Sequence, residues 1–339
     1  MKPVLQSGRI LAVLISFAFF VAYAALWKIS SSEKVGVLKS DPKMKYSWFI
    51  PAADYSLDFT INPQGKCADP DLFLVVMVTS RHAHFEARAA IRDTWGNETS
   101  IMGYKLATLF VIGRTDDLTL QRTLIEESRK YGDLVQMDAY ESYENLTLKT
   151  ISALKWTSMN CRLAKFVMKT DDDMFVNYPR LVRTLADYMH TAGQLTCNLM
   201  LGCVVSWAFP ERTPGKKWYM DTEIFPRWLY PSYCIGAGYV MSSDVAHKLY
   251  MTSLEVPIVQ IEDVYLGICA EKAGIKPQNH PEFSCWKDTA YRYCKFRDLL
   301  TAHGMKPRDL TKAWTDMKIQ GDRNCSQKEK LFEKVSSLF

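Results

Sequence analysis

The sequence predicts an α/β domain built on a mainly parallel sheet flanked by helices, preceded by one transmembrane helix. Three observations carry this. Continuous apolar runs at 73–78, 106–112 and 166–168 lack the polar alternation of half-exposed strands, as expected for strands covered on both faces. Stretches of helical character lie between them at 85–95, 118–131 and 146–159, giving the strand–helix–strand rhythm of parallel crossovers. Residues 10–27 are uncharged and almost wholly apolar, close to the length that crosses a bilayer.

In chain order, Lys2 and Arg9 precede the apolar run and Lys28 follows it. Basic residues on the short side favour cytoplasmic retention of residues 1–9, with 10–27 as a signal anchor and the remainder lumenal or extracellular. Ala22-Tyr23-Ala24 also offers a small-x-small cleavage site. Because the apolar run continues past it, an uncleaved anchor is the expectation, and either reading delivers the chain to the secretory pathway. Residues 28–66 read as a stem whose second half, carrying Trp48, Phe49, Tyr55 and Phe59, packs in part on the domain. Residues 67–339 form one large domain without repeats or low-complexity tracts.

Composition agrees with that compartment. Lys and Arg number 42 against 37 Asp and Glu, a net charge of +5 with no basic block, so no nucleic-acid partner is implied. Nine cysteines suit an oxidising lumen, and none falls in a CxxC or Cys/His zinc spacing. Asn97, Asn145 and Asn324 open glycosylation acceptor triplets.

Inside the domain, Arg88 and Arg92 lie one helical turn apart and are candidates to face a diphosphate, with ordinary structural roles equally open. Asp171-Asp172-Asp173 follows the third apolar run directly, and Met174-Phe175-Val176 continues apolar beyond it. Carboxylates interrupting a buried stretch are costly unless a cation or donors compensate. Their hard oxygens suit Mg2+ or Mn2+ carrying a substrate diphosphate, as in a nucleotide-sugar. Further on, Gly236 and Gly238 stand among aromatics, read either as a turn where backbone approaches a sugar or as a tight turn into a strand at 239–241. Glu262 and Asp263 open a helix that Gly274 ends, as macrodipole compensation or as a general base in the metal cleft.

These blocks together resemble the β-1,3-glycosyltransferase family of Golgi type II membrane enzymes, most of all its β-1,3-galactosyltransferases. The resemblance runs from about Phe59 to Trp314. It rests on Phe59-Thr60-Ile61-Asn62, Arg88-Ala89-Ala90-Ile91-Arg92-Asp93-Thr94-Trp95-Gly96, Asn145-Leu146-Thr147-Leu148-Lys149-Thr150, Lys169-Thr170-Asp171-Asp172-Asp173, Lys217-Trp218-Tyr219, the Gly236/Gly238 segment and Glu262-Asp263-Val264-Tyr265. It implies a GT-A fold, Mn2+, and galactose transfer from UDP-galactose, with inversion, in β-1,3 linkage to a terminal sugar, an N-acetylhexosamine, of a glycoprotein or glycolipid at the Golgi membrane. Asp173 and His303 are then the metal ligands, Asp171 and Asp172 hold the donor, and Asp263 is the base with Glu262 beside it. Trp218, Tyr219, Gly236, Gly238 and Glu262 are acceptor- or sugar-binding candidates. The resemblance also pairs Cys67 with Cys161 and Cys269 with Cys294; a local Cys197–Cys203 bridge is a further expectation.

The chain departs from the galactosyl pattern in one place, reading Cys-Ile-Gly-Ala-Gly where many members have Cys-Ser-Gly-Thr-Gly. N-acetylglucosaminyl or N-acetylgalactosaminyl transfer on the same scaffold is the alternative. An alternative of another class is a non-catalytic lumenal lectin-like or chaperone protein, against which the intact acid triplet and Asp263 argue.

Overall fold

The strands form where apolar runs are uninterrupted, and their order places the acid triplet at the sheet's centre. The structure is a computed structural model; it describes residues 57–329 apart from 98, 192–196, 287–290 and 322, together with residues 52 and 55. The expected tail, membrane anchor and most of the stem lie outside the described residues. Among the described residues no helix is long and apolar enough to cross a membrane.

The strands are β1 (Phe59–Ile61), β2 (Leu72–Thr79), β3 (Ser100–Ile101), β4 (Tyr104–Arg114), β5 (Leu134–Tyr140), β6 (Phe166–Asp171), β7 (Met174–Val176), β8 (Met200–Val205), β9 (Tyr233–Ser242), β10 (Gln278–Asn279) and β11 (Thr301–His303). The helices are α1 (Phe85–Arg92), α2 (Leu118–Tyr131), α3 (Leu146–Asn160), α4 (Tyr178–Thr191), α5 (Ser243–Ser253), α6 (Glu262–Lys272), α7 (Tyr293–Arg297) and α8 (Pro307–Gln320). A nine-stranded sheet runs β1-β5-β4-β2-β6-β9-β8-β10, with β3 on β4, and β11 and β7 form a separate pair. The expected parallel arrangement holds for the four central strands β5, β4, β2 and β6. On the flanks it does not: β1 runs antiparallel to β5 and β9 antiparallel to both β6 and β8, while β8 and β10 pair in parallel. β9 is reached through the long 206–232 loop instead of a crossover helix, so nothing obliges it to run parallel.

Both faces of the sheet are covered. Val75 and Met77 of β2 join Leu109, Val111 and Val167 in one core, with Ile151 and Leu154 of α3, Leu249 of α5 and Leu266 of α6. Leu74, Val76 and Val78 point the other way, joining Phe110, Phe166 and Met168 with Ile91 of α1, Leu181 and Leu185 of α4 and Leu310 of α8. This alternation is the period-two geometry of a strand, and it explains why all eight β2 residues are buried. Helix α3 is buried over almost its whole length, because it packs against α5 and α6 as well as the sheet and has little solvent face to make polar. Helix α2 starts where the Asp117 side chain accepts from Thr119 N and Leu120 N, and stops at Gly132, whose φ of 61° suits a residue without Cβ.

Strand β1 pairs with β5, and Trp156 Nε1 donates to Asn62 Oδ1 at 2.8 Å, so residues 59–62 pack on the domain as an edge of its sheet. Three expectations change here. Gly236 and Gly238 lie inside β9 and not in a turn. Cys67 bonds to Cys161, but Cys269 is free and buried, and Cys294 bonds to Cys325. The sheet separates the other expected partners: Cys269 belongs to the core under α6, whereas Phe296 beside Cys294 packs in the opposite core. The local Cys197–Cys203 bridge is also absent, since Cys203 bonds to Cys285.

Candidate active site

Strands β2 and β6 end level, with Thr79 opposite Asp171, and this register assembles the acid triplet with its supports. Asp171 Oδ1 accepts from Thr79 Oγ1 at 2.6 Å and from Lys169 Nζ at 2.7 Å. Asp172 Oδ2 accepts from Ser80 Oγ at 2.7 Å and hydrogen-bonds with His84 Nδ1 at 2.8 Å. Asp173 occupies the turn into β7, and its carbonyl accepts from Gly304 N at 3.0 Å and Met305 N at 2.8 Å. The pairing of β7 with β11 sets Met174 opposite His303, which brings His303 Nε2 to 3.5 Å from Asp173 Oδ2.

Among the described residues no group of three or more metal-ligating side chains comes together. The Asp173–His303 pair nevertheless fits a Mn2+ ion: one hard anionic oxygen and one imidazole nitrogen line the cavity side by side, leaving coordination positions for substrate oxygens.

Glu262 and Asp263 at the start of α6 part company. Asp263 keeps partial access to the cavity, and burial pushes its carboxyl above the ordinary range against hydrogen bonds from Val264 N and Gly236 N. Glu262 turns inward. Its Oε1 accepts from Tyr239 Oη at 2.9 Å, and its Oε2 lies 3.9 Å from Lys169 Nζ. Burial pushes it up to about 7, against Lys169 and the Tyr239 hydrogen bond, with Asp263 and Asp171 adding to the rise. A Cβ at position 236 would stand 2.5 Å from Glu262 Oε2, so the glycine there is a requirement of close approach inside a strand.

Lys169 ties these halves together. Fully buried, it donates to Asp171 and to Gly236 O, linking β6 to β9 while facing Glu262. Burial opposes its charge, but Asp171 and Glu262 outweigh that and raise its proton affinity. A second buried pair, Lys149 with Glu141, closes the opposite wall. Lys149 Nζ donates to Glu141 and to Ser80 O at 2.8 Å, and Glu141 Oε2 accepts from Gly113 N at 2.7 Å. Burial lowers Lys149 below the ordinary lysine range despite Glu141. Sequence reasoning gave Lys169, Lys149, Glu141 and His84 no function, although a lysine inside an apolar strand two positions before an acid triplet is a visible signal.

Arg88 and Arg92 do not line the cavity. Arg88 is 0% exposed, and its Nη2 donates to Glu127 Oε2 at 2.6 Å and its Nη1 to Ser80 Oγ at 3.1 Å. Arg92 Nε donates to Asp133 Oδ2 at 2.8 Å, and its guanidinium lies 4.0 Å from the Tyr131 ring centroid. Helical spacing put both arginines on one side of α1, but that side meets Glu127 on α2 and Asp133 just beyond it. Arg88 reaches the site only through Ser80, as a support behind Asp172.

The cavity enclosing the triplet is about 830 Å3. Asp171, Asp172, Asp173, Glu262, Asp263, His303, Gly236 and Trp218 line it. Tyr219 and Gly238 are not among its lining residues: Tyr219 Oη donates to Asp221 at 3.1 Å, and Gly238 faces Thr170, Met168 and Met174. Asn97 and Asn324 are exposed. Asn145 is half-buried with Nδ2 donating to Tyr140 O, and the hydroxyl of Thr147 in the same triplet is buried and donates to Val259 O.

A galactosyltransferase family model matches residues 86–281. The chain is 38% identical over 275 residues to beta-1,3-galactosyltransferase 1 of Mus musculus, covering 81% of this chain and 83% of the relative. It is 36% identical over 283 residues to beta-1,3-galactosyltransferase 2 of Homo sapiens, covering 81% and 66%. Among solved structures, 4-diphosphocytidyl-2C-methyl-D-erythritol synthase from Anaerococcus prevotii aligns with a TM-score of 0.30 and 15% identity over 62% of this chain and 87% of that one, too weak a likeness to bear on the fold.

Proposed function

This chain belongs to the galactosyltransferase family and is a glycosyltransferase, and from that premise we propose that it moves galactose from UDP-galactose, with inversion, in β-1,3 linkage to a terminal N-acetylhexosamine of a glycoprotein or glycolipid. The proposal includes a GT-A fold, Mn2+ as cofactor, and residence as a single-pass type II protein of the Golgi membrane. The observation that carries it is one cavity at the ends of parallel strands holding both the Asp173–His303 pair and a partly accessible Asp263. Ligands bind there in open α/β sheets.

When bound at Asp173 and His303, the metal supplies Lewis acidity that takes up charge on the departing diphosphate. The chain's own residues do the rest. Ser80, Thr79, Lys169 and His84 fix Asp171 and Asp172 along the donor wall. Asp263 removes the proton from the acceptor hydroxyl as it attacks the anomeric carbon, and its burial-raised proton affinity matches that task. The carbon–oxygen bond to the β-phosphate breaks in the same displacement, so an α-linked donor gives a β-linked product. Glu262, buried behind Gly236, keeps α6 and β9 in register.

The test is turnover of the lumenal domain with UDP-galactose, UDP-N-acetylglucosamine and UDP-N-acetylgalactosamine, one N-acetylhexosamine acceptor, and Mn2+ or chelator, with product linkage assigned by NMR. Galactose transfer that is β-1,3 and chelator-sensitive is the expected result. A preference for an acetamido donor overturns the sugar assignment, and release of no UDP overturns the catalytic reading.

A further inference from the structure

The long loop between β8 and β9 carries features that the transfer chemistry does not use. Trp207 has a φ of 63°, the left-handed region that bulky side chains rarely adopt, and is 74% exposed. Trp228 is 84% exposed. The loop doubles back on itself, with Tyr230 N donating to Ala208 O and Arg212 Nη2 to Arg227 O, each at 2.9 Å, so the segments bearing the two tryptophans lie side by side. Phe209 and Trp286, 72% and 77% exposed, continue the aromatic surface onto the cavity's lining, and Cys203–Cys285 fastens the Trp286 segment to β8. Tyr230 Oη, buried on the cavity wall, has no hydrogen-bond partner among the described residues.

Strained backbone that presents a large exposed aromatic beside a catalytic mouth is unfavourable in the free chain unless a ligand covers it. We propose that Trp207 and Trp228, continued by Phe209 and Trp286, form an acceptor subsite outside the transfer cavity for the second and further rings of a neutral oligosaccharide. This deepens the galactosyl-transfer reading and rests on it. At about 830 Å3 the cavity lies within the ordinary range of small-molecule sites, so with a nucleotide-sugar inside it there is room for little more than the acceptor's terminal ring. Further rings leave over the aromatic mouth, where flat ring faces meet the C–H faces of pyranoses. The patch itself is made of uncharged rings, and the cations around it are already placed, Arg212 on backbone carbonyls, Arg227 on Glu271 and Lys217 over the Tyr143 and Trp218 rings, so a neutral ligand fits it.

The experiment compares the lumenal domain with Trp207→Gly, Trp207→Phe and Trp228→Ala, using a β-linked N-acetylglucosamine monosaccharide and a tetrasaccharide with the same terminal residue. Trp207→Gly relieves the left-handed backbone, so its thermal stability is at least that of the parent and lost function is not lost folding. The parent prefers the tetrasaccharide in kcat/KM by about tenfold, through KM. Trp207→Gly and Trp228→Ala lose that preference with monosaccharide turnover unchanged, and Trp207→Phe keeps it. Tetrasaccharide also shifts tryptophan emission in the parent and not in Trp207→Gly, a readout that needs no turnover. Equal use of both acceptors by the parent, equal losses on both in the variants, or Trp207-dependent sedimentation with phosphatidylcholine vesicles in place of a length preference each overturns the subsite. Absence of any transfer counts against the reaction, while the emission titration still decides on the subsite.

Discussion

Asp263 and Glu262 are adjacent in sequence but differ in access, Asp263 partly open to the cavity and Glu262 buried on Tyr239 and Lys169, and most of the site's chemistry follows from that. Asp263→Asn keeps shape but cannot take the hydroxyl proton, so kcat falls about 100-fold while UDP affinity, measured by titration calorimetry, stays near the parent value. Glu262 gives a pH signature. Its folded-state value of about 7 stands above the ordinary 4.5, so between those pH values the folded chain holds a proton that the unfolded chain has released. Stability therefore falls as pH rises through this window, and Glu262→Gln flattens the slope of the urea midpoint against pH. On the metal side, Asp173→Ala abolishes Mn2+-dependent turnover, and His303→Ala weakens it less, since the charged ligand remains. A Mn2+ titration of each variant checks the order. The triplet was legible because three carboxylates interrupt a buried run. His303 was found only through resemblance, since Ala302 and Gly304 beside it are no ligands and strand pairing alone delivers it to Asp173.

At the scale of elements, β2, β4, β6, α2, α3 and α6 follow the sequence closely, because each has a clear period, cap or glycine stop. The edge strand β1 and the antiparallel β9 were hidden for physical reasons. Three residues of a stem show no period, and glycines inside a strand read as a turn until Glu262 is seen to occupy the space a Cβ would need. Lys169 joins β6, β9 and α6 through one ammonium. Lys169→Met leaves the buried Glu262 and the partly exposed Asp171 without their cation, so urea denaturation shows a loss of about 3 kcal/mol. Adding Glu262→Gln removes one of the stranded charges, and the double variant recovers part of that loss in a mutant cycle.

Across the whole molecule, two cores separated by one sheet decide which cysteines can meet, and spacing along the chain carries no such information. Non-reducing peptide mapping recovers Cys67–Cys161, Cys203–Cys285 and Cys294–Cys325, with Cys269 alkylated only after denaturation. Paired serine replacement of Cys203 and Cys285 opens a loop spanning 82 positions and lowers stability by about 4.5 kcal/mol in the chain-entropy treatment. The β7–β11 pairing has a consequence in time. Asp173 emerges from the ribosome long before His303, and the small ladder that aligns them cannot close until β11 has been made. Through the intervening synthesis the growing chain carries the acid triplet without its facing histidine. A nascent chain arrested before position 301 therefore has no Asp173–His303 pair, and on the proposed function any competence for Mn2+ arises late, close to when Cys294 can meet Cys325.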